Sequence, residues 1–216
     1  MQNPPLIVTL IIIANVLLSF RGFKDPLFFE KYKFQIAGIK NGQRIRLLSA
    51  GFLHVDTSHL FFNMFTLYFF SDPVLQRLGL LLFLVVYFGS LLIGNFFAYY
   101  FYKNVPYYSA VGASGAVSGV LFSAILLFPE MKLIAFLIPI PIPAYLFAIG
   151  YLGYTLYGMK KQNDNIGHTT HLGGALGGIL ITILGAPYLL TESLPMIGVV
   201  LGTVLLTAYF IFKSKD

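Results

Sequence analysis

The sequence contains no cysteine and no tryptophan, and it is poor in charge. Without cysteine, neither a disulfide nor a thiolate metal site can form, and the redox compartment cannot be read. Without tryptophan, the 14 tyrosines are the main residues for anchoring at a membrane surface. Charged residues make up 10% of the 216 positions, whereas a soluble domain typically carries roughly a quarter. So little charge excludes a water-soluble globule.

Apolar residues dominate the chain, at 57% of the sequence with a mean hydropathy of +0.81. Because one spanning helix needs about 20 apolar residues, the length suits six or seven spans. We therefore predict an all-α polytopic membrane protein, a single membrane domain over residues 1–216. The predicted spans are residues 5–20, 57–71, 79–101, 114–128, 143–158, 168–190 and 195–212.

Two segments between the spans have their own character. Residues 21–53 hold seven Lys and Arg, and we expect them to lie in the membrane interface as short amphipathic pieces. These cations and the net charge of +6 favour a lipid bilayer with anionic headgroups as partner, and not nucleic acid. Residues 129–142 carry alternating prolines, which cannot sit inside a helix. We expect a loop there, with the next span starting near Pro143.

Four polar residues are predicted to lie at one depth in the membrane. Consecutive spans joined by short loops alternate in direction, so the second, fourth and sixth spans begin at the same surface. His59 and Asn63 lie near the start of the second span, Ser114 opens the fourth, and His171 lies near the start of the sixth. At 1.5 Å per residue, all four are within roughly 10 Å of that surface. Ionisable groups inside a membrane are functional candidates.

Paired glycines predict how these spans approach one another. Gly115 and Gly119 lie four apart on the fourth span, and Gly174 and Gly178 lie four apart on the sixth. Such pairs let membrane helices pack closely, which would bring the Ser114 hydroxyl to an imidazole.

A serine activated by a neighbouring histidine is a nucleophile for acyl transfer. Spans four to six contain neither Asp nor Glu, so a Ser-His dyad is the most that the sequence offers. The unpaired N–H groups of the first helical turn at Ser114, with the side chains of Asn63 and His59, could stabilise an oxyanion.

Three motifs carry a resemblance to a known family: Gly112-Ala-Ser-Gly115, His54 followed by His59-x-x-x-Asn63, and His171-x-x-Gly174-x-x-x-Gly178. Over about residues 44–185 the chain resembles a rhomboid intramembrane serine protease. The resemblance implies a six-helix core, here with a seventh C-terminal helix. It also implies an enzyme that needs no metal or other cofactor and cleaves single-pass membrane proteins in or near their transmembrane helix.

The resemblance also assigns roles to individual residues. Ser114 would be the nucleophile and His171 the general base. His59, Asn63, the Ser114 backbone N–H and Gly112 would form the oxyanion hole. The residues expected to be structural near the site are His54, Arg46, Gly115, Gly119, Gly174 and Gly178.

The chain departs from the family pattern in three respects. Ile45 stands where a tryptophan usually precedes the loop arginine. Ser118 stands four residues after the nucleophile, where many members carry an aromatic that supports the histidine ring. The seven cations of residues 21–53 would place that loop in the cytoplasm by the positive-inside rule. We nevertheless favour the family topology, with the site open to the non-cytoplasmic side of a prokaryotic plasma membrane.

Three alternatives stay open on sequence grounds. A non-catalytic rhomboid-like protein would bind transmembrane helices without cleaving them, although such proteins usually lack the serine or the histidine. A zinc protease would use His54, His59, His168 and His171, but the sequence has no HExxH motif. A transporter would need a charged relay or an inverted repeat, and neither is evident.

Overall fold

The fold is known from a computed structural model, which describes residues 5–135, 138–161 and 167–213. Residues 1–4 and 214–216 of the predicted domain therefore lie outside the described part. Most of the described chain is helical. Its helices are α1 (Leu6–Lys24), α2 (Pro26–Tyr32), α3 (Ile36–Lys40), α4 (Arg46–Ser49), α5 (Thr57–Tyr102), α6 (Ser114–Leu127), α7 (Ala144–Lys161), α8 (His168–Gly185), α9 (Leu189–Glu192) and α10 (Leu194–Lys213).

α5 is one run of 46 residues where the sequence predicts two spans, 57–71 and 79–101. A straight helix of that length would be about 69 Å long, roughly twice the hydrocarbon core of a bilayer. The helix is interrupted at Gly79, whose φ of 75° is a conformation that favours glycine. Beyond it, the Asn95 side chain donates to the Leu47 carbonyl at 2.7 Å. The second half therefore returns to the level at which the first half began.

Two small antiparallel sheets correct the prediction of a purely helical chain. β1 (Phe34–Gln35) pairs with β2 (Ser109–Ala110) and ties the first loop to the segment that leads into α6. β3 (Lys132–Ala135) pairs with β4 (Ile138–Pro143). These two strands replace most of the loop that the sequence predicted for residues 129–142, of which residues 136–137 lie outside the described part.

The prolines of β4 are compatible with a strand because they alternate. Backbone N–H groups point to opposite sides along a strand, so Pro139, Pro141 and Pro143 lack their N–H groups on one and the same side. Proline is tolerated at such an unpaired edge. On the other side, the Ala144 N–H donates to the Met131 carbonyl at 2.8 Å. The prolines exclude a helix, as predicted, but they do not exclude a hairpin.

Several helix ends differ from the predicted spans. α1 continues to Lys24 and α7 to Lys161, beyond the predicted ends at residues 20 and 158. α7 begins at Ala144, directly after the last residue of β4. α8 ends at Gly185 and not near residue 190, because Pro187 lacks an N–H and disfavours helical geometry at the residue before it. The short helix α9 then leads into α10.

Two of the described helices, α1 and α5, are long and apolar enough to cross a bilayer by length and composition alone. α6 and the stretch Leu194–Phe210 of α10 are shorter apolar helices. The number of six or seven spans therefore stays a prediction.

α6 lies at the centre of the molecule. Every residue from Gly115 to Leu127 is buried, as expected of a helix that is apolar all round. Its side chains, among them Phe122 and Ile125, share one core with buried residues of α5 and α8, which include Phe83, Tyr87, Leu91, Leu172 and Ile179. The one partly exposed residue of α6 is its first, Ser114.

Candidate active site

The N-terminal ends of three helices open onto one cleft of about 230 Å³. Its walls include His59 and Asn63 from α5, Ser114 from α6 and His171 from α8. The structure thus brings together the four polar residues that the alternation of spans placed at one depth.

Asp56 determines where α5 begins and so where its polar residues lie. Its backbone is extended, and its carboxylate accepts a hydrogen bond from the His59 N–H at 2.7 Å, which is the usual arrangement at a helix N-cap. His59 consequently lies in the first turn. Asn63 follows one turn later, and its side chain donates to the His59 carbonyl at 3.1 Å. An amide side chain has two N–H donors, and this bond uses one of them.

Gly112 lets the ring of His59 approach the loop that precedes Ser114. Its φ is +130°, a conformation that L side chains rarely adopt. A Cβ at this position would lie 2.7 Å from His59 Cε1 and 3.6 Å from Ser114 Oγ. Any other residue at this position would therefore displace the imidazole that lies beside the Ser114 hydroxyl.

His54 connects α1, the first loop and the backbone beside Ser114. It is fully buried, and its Nδ1 lies 2.9 Å from Ser19 Oγ. The Ser19 hydroxyl donates to the Phe52 carbonyl at 3.1 Å, so Nδ1 carries the proton and donates to Ser19. Nε2 is then free to accept the N–H of Ala113 at 3.4 Å. His54 therefore braces Ala113, the residue that precedes Ser114.

The surroundings of His54 keep it neutral. Burial, with a smaller contribution from nearby His59, lowers the pKa of His54 to about 3. The two rings lie edge to face, with centroids 4.9 Å apart. A neutral ring is required for the role described, because a protonated Nε2 could not accept the Ala113 N–H.

Arg46 lies in the first loop and outside the cleft. Its guanidinium is buried and donates to the carbonyls of Glu30 and Lys33 at 2.8 Å, while Nε donates to the Gln43 side chain at 2.6 Å. A Cβ at Gly38 would lie 2.6 Å from that Nε. Arg46 thus ties α4 to the end of α2 by satisfying two backbone carbonyls, and it packs closely against Gly38 of α3.

The four paired glycines meet as two direct contacts between α6 and α8. A Cβ at Gly174 would lie 2.7 Å from the Gly115 carbonyl carbon, and a Cβ at Gly178 would lie 2.5 Å from the Gly119 Cα. Only glycine permits so close an approach of two backbones. The hydroxyls of Ser123 and Thr182 continue the contact one turn further, 2.6 Å apart. We call this contact surface the glycine seam.

A sequence model of the Rhomboid domain matches residues 41–188, which contain all four of the cleft residues named above. This chain belongs to the rhomboid family. Rhomboid-family proteins are embedded in membranes, so this rhomboid is a membrane protein.

Individual relatives agree with the family assignment. The chain is 29% identical to RHOMBOID-like protein 12, mitochondrial, of Arabidopsis thaliana, over 75% of this chain and 52% of that protein. It is 29% identical to Rhomboid protein 1, mitochondrial, of Saccharomyces cerevisiae, over 63% and 40%. It is 34% identical to the Putative rhomboid protease YdcA of Bacillus subtilis, over 68% and 70%. The chain spans about half the length of the first of these relatives.

Sequence reasoning missed one residue of this rhomboid's cleft that contacts His171. Tyr151 of α7 lines the cleft, and its ring is stacked on the imidazole with centroids 5.6 Å apart and planes 19° apart. Its hydroxyl lies 2.7 Å from Ser118 Oγ. The signal for it was present, because Phe147, Tyr151 and Tyr154 recur at helical spacing and share one face of α7.

The histidines of this rhomboid do not form a metal centre within the described residues. In residues 5–135, 138–161 and 167–213, no three His, Asp or Glu side chains lie close enough together to hold a metal ion. His54 is engaged by Ser19 and Ala113. His168 packs edge to face against His171, with ring centroids 5.9 Å apart.

Proposed function

We propose that this rhomboid is an intramembrane serine endopeptidase that cleaves single-pass membrane proteins in or near their transmembrane helix. The observation that carries the proposal is the shared cleft, because Ser114, His171, His59 and Asn63 reach it from three different helices. A serine, an imidazole and additional hydrogen-bond donors are the groups that peptide hydrolysis requires. The reaction as proposed needs no cofactor.

The proposed reaction has two halves. Ser114 Oγ attacks the carbonyl carbon of the scissile peptide while His171 accepts the hydroxyl proton. The C–N bond then breaks, and His171 delivers that proton to the departing amine. Water attacks the resulting ester with His171 again as base, and the proton returns to Ser114 Oγ as the acid product leaves. α6, α7 and α8 contain neither Asp nor Glu, so the proposal is a dyad without a carboxylate.

The oxyanion of each tetrahedral intermediate would be stabilised from two directions. α6 begins at Ser114, and the first N–H groups of a helix have no partner within it. His59 and Asn63 line the same cleft from α5. Gly112 leaves room for the His59 ring beside Ser114. Donors fixed in this way are effective because they need no reorganisation during the reaction.

The remaining walls of the cleft suit an apolar substrate segment. They are formed mainly by apolar side chains of three helices, among them Phe62, Val117, Leu121 and Phe147. Phe61, Phe62, Phe65 and Phe69 are exposed on the outer face of α5, where lipid would cover them. A transmembrane helix in the bilayer is a substrate whose side chains match such walls.

We further propose that the cleft opens to the non-cytoplasmic side of its membrane. The names of the relatives favour no single compartment, because two of the three described above are mitochondrial and the third is bacterial. These relatives therefore give no support for a prokaryotic plasma membrane over a mitochondrial one.

The test is labelling of the detergent-purified protein with a fluorophosphonate probe, which reacts with activated serines. We expect the wild type to be labelled, and we expect Ser114→Ala and His171→Ala to abolish labelling while circular dichroism shows both variants folded. The same variants should fail to cleave a single-pass membrane substrate in liposomes.

A folded wild type that is labelled no more than Ser114→Ala would overturn the proposal. That result would favour a non-catalytic protein that binds transmembrane helices. Labelling that persists in His171→Ala would overturn the dyad alone.

A further inference from the structure

The support of His171 comes from a different helix than the resemblance implies. Many rhomboids carry an aromatic on the nucleophile's own helix, four residues after the serine, and in this chain that position is Ser118. The aromatic ring that stacks on His171 belongs to Tyr151 of α7. Its hydroxyl meets Ser118 Oγ at 2.7 Å. Ser118, which departs from the family pattern, is thus in direct contact with Tyr151, whose ring takes the place of the missing aromatic.

Tyr151 is held at both ends. Ser118, 1% exposed and one turn beyond Ser114, hydrogen-bonds its hydroxyl. Phe147 is stacked one turn earlier on α7, with ring planes 19° apart and centroids 6.5 Å apart. Phe122 of α6 packs against the ring at 6.3 Å. A ring fixed in this way presents a stationary flat surface to the imidazole.

Resting on the proposed function, we propose that Tyr151 is the positioning residue for His171, and that Ser118 holds Tyr151 in place. Two residues on two helices thus replace the single aromatic that is usual on the nucleophile's helix.

The physical reason lies in the freedom of an imidazole without a carboxylate partner. In a triad, a carboxylate fixes the orientation of the base, but α6, α7 and α8 contain neither Asp nor Glu. A stacked ring limits rotation of the imidazole plane and leaves its edge free for proton transfer. Because the base must lie within hydrogen-bond reach of the serine, a displacement of about 1 Å can lower the rate about 100-fold.

The arrangement links the base to the position of α7. Phe147 and Tyr154 of the same helix also line the cleft, so a substrate segment in the cleft would touch the helix that carries Tyr151. A displacement of α7 away from α8 would remove the ring from His171. In a protein with the aromatic on α6, the same displacement would leave the base supported.

The experiment compares Tyr151→Leu, Tyr151→Phe, Ser118→Ala and the double variant Ser118→Tyr with Tyr151→Leu. Tyr157→Leu is the control, because Tyr157 is an exposed tyrosine of the same helix outside the cleft. The readouts are the second-order rate of fluorophosphonate labelling, and kcat and KM for a single-pass substrate. Thermal melting confirms that each variant is folded.

We expect Tyr151→Leu to label about 100-fold more slowly, with the loss of cleavage in kcat and not in KM. Tyr151→Phe and Ser118→Ala keep the stacked ring and lose one neutral hydrogen bond, so each should lose at most about tenfold. The double variant restores a ring next to His171 and should recover most of the labelling rate. Recovery by a ring from another helix would not occur if Tyr151 were merely structural.

Three results would overturn the inference while leaving the proposed function intact: wild-type labelling by Tyr151→Leu, a loss confined to KM, or no recovery in the folded double variant. Equal losses in folded Tyr151→Leu and Tyr151→Phe would overturn it as well, because the hydroxyl and not the ring would then matter. Failure of the proposed function is distinguishable, since the wild type would then label no faster than Ser114→Ala.

Discussion

α8 has two contact faces of opposite character, and His171 lies between them. On one side, the glycine seam brings its backbone against that of α6, so closely that a Cβ at Gly178 would lie 2.5 Å from the Gly119 Cα. On the other side, α8 meets α7 through aromatic side chains, with Tyr151 against His171 and Tyr154 against His168. The first face leaves no space for adjustment, whereas the second is a contact between side chains and depends on the position of α7.

The two faces have different roles: one fixes the position of Ser114, and the other fixes the orientation of the His171 ring. Ser114, the proposed nucleophile, begins a helix that is buried from Gly115 to Leu127, and its position follows from backbone contacts. His171, the proposed base, is on α8, but the aromatic ring stacked on it comes from α7. The distance between α6 and α8 is therefore set by the fold, whereas the orientation of the imidazole depends on a neighbouring helix.

The largest effect should come from breaking the glycine seam. In Gly178→Leu the new side chain would meet the α6 backbone, which cannot move aside without separating the two helices. Overpacking a core typically costs about 1–3 kcal/mol, occasionally more, and we expect this variant to exceed about 3 kcal/mol. The measurement is thermal melting in detergent together with the yield of folded protein.

The matched control lies on α7. In Gly153→Leu, a Cβ would meet nothing within 4 Å among the described residues. The free energy of unfolding should therefore change by no more than about 1 kcal/mol, in the stabilising direction, because Leu has a higher helix propensity than Gly. Equal melting temperatures for wild type and Gly178→Leu would contradict the backbone contact.

The second effect concerns chemistry at unchanged stability. Asn63→Ala removes one donor from the cleft wall on α5, and the loss of one oxyanion donor lowers kcat by about 10²–10³-fold. We expect this loss in cleavage of a single-pass substrate, with KM little changed. Asn104→Ala, at an exposed turn after α5, is the control. If Asn63→Ala cleaved at the wild-type rate, its assignment to the oxyanion hole would be wrong.

The convergence of the four polar residues was predictable because it follows from helix geometry and chain direction. The rise of a helix and the alternation of spans placed His59, Asn63, Ser114 and His171 at one surface, and the structure brings them to one cleft. The glycine pairs predicted the contact of the two helices for the same reason. Spacing along a helix determines which face a residue occupies.

The contact of Tyr151 with His171 was not predictable in that way. It depends on how α7 is rotated relative to α8, and no local spacing encodes that rotation. The β3–β4 hairpin was missed for a different reason. The alternating prolines exclude a helix, but because every second residue is proline, their missing N–H groups lie on one side, which also suits a strand edge.

The third effect is a pH dependence of stability, and it tests whether His54 is a buried, neutral brace beside Ala113. The pKa of His54 falls to about 3 in the folded protein, chiefly through burial, against about 6.5 in an unfolded chain. Between these values the unfolded state binds the proton and the folded state does not, so stability decreases as the pH falls from 6.5 toward 3. The slope from His54 is at most about 1.4 kcal/mol per pH unit.

Melting temperatures measured across this range, in wild type and in His54→Gln, separate His54 from other titrating groups. The variant should lose less stability than wild type on acidification. Parallel curves would show that His54 is not the buried neutral ring that the structure indicates.

The smallest effect should come from the partner of that ring. Ser19→Ala removes the acceptor of the His54 Nδ1 proton and leaves a buried donor unpaired, which costs about 1–3 kcal/mol. Ser71→Ala is the matched control, because Ser71 is equally buried but donates to the Tyr68 carbonyl of its own helix at 3.2 Å.

Both variants should melt slightly below wild type, but only Ser19→Ala should also slow fluorophosphonate labelling. The reason is that the Ser19 hydroxyl fixes the tautomer in which His54 Nε2 accepts the N–H of Ala113, the residue before Ser114. If Ser19→Ala lost stability and kept the full labelling rate, the nucleophile's backbone would be held by α6 alone. The position of Ser114 would then depend on the glycine seam alone and not on the contacts that run through His54 to α1.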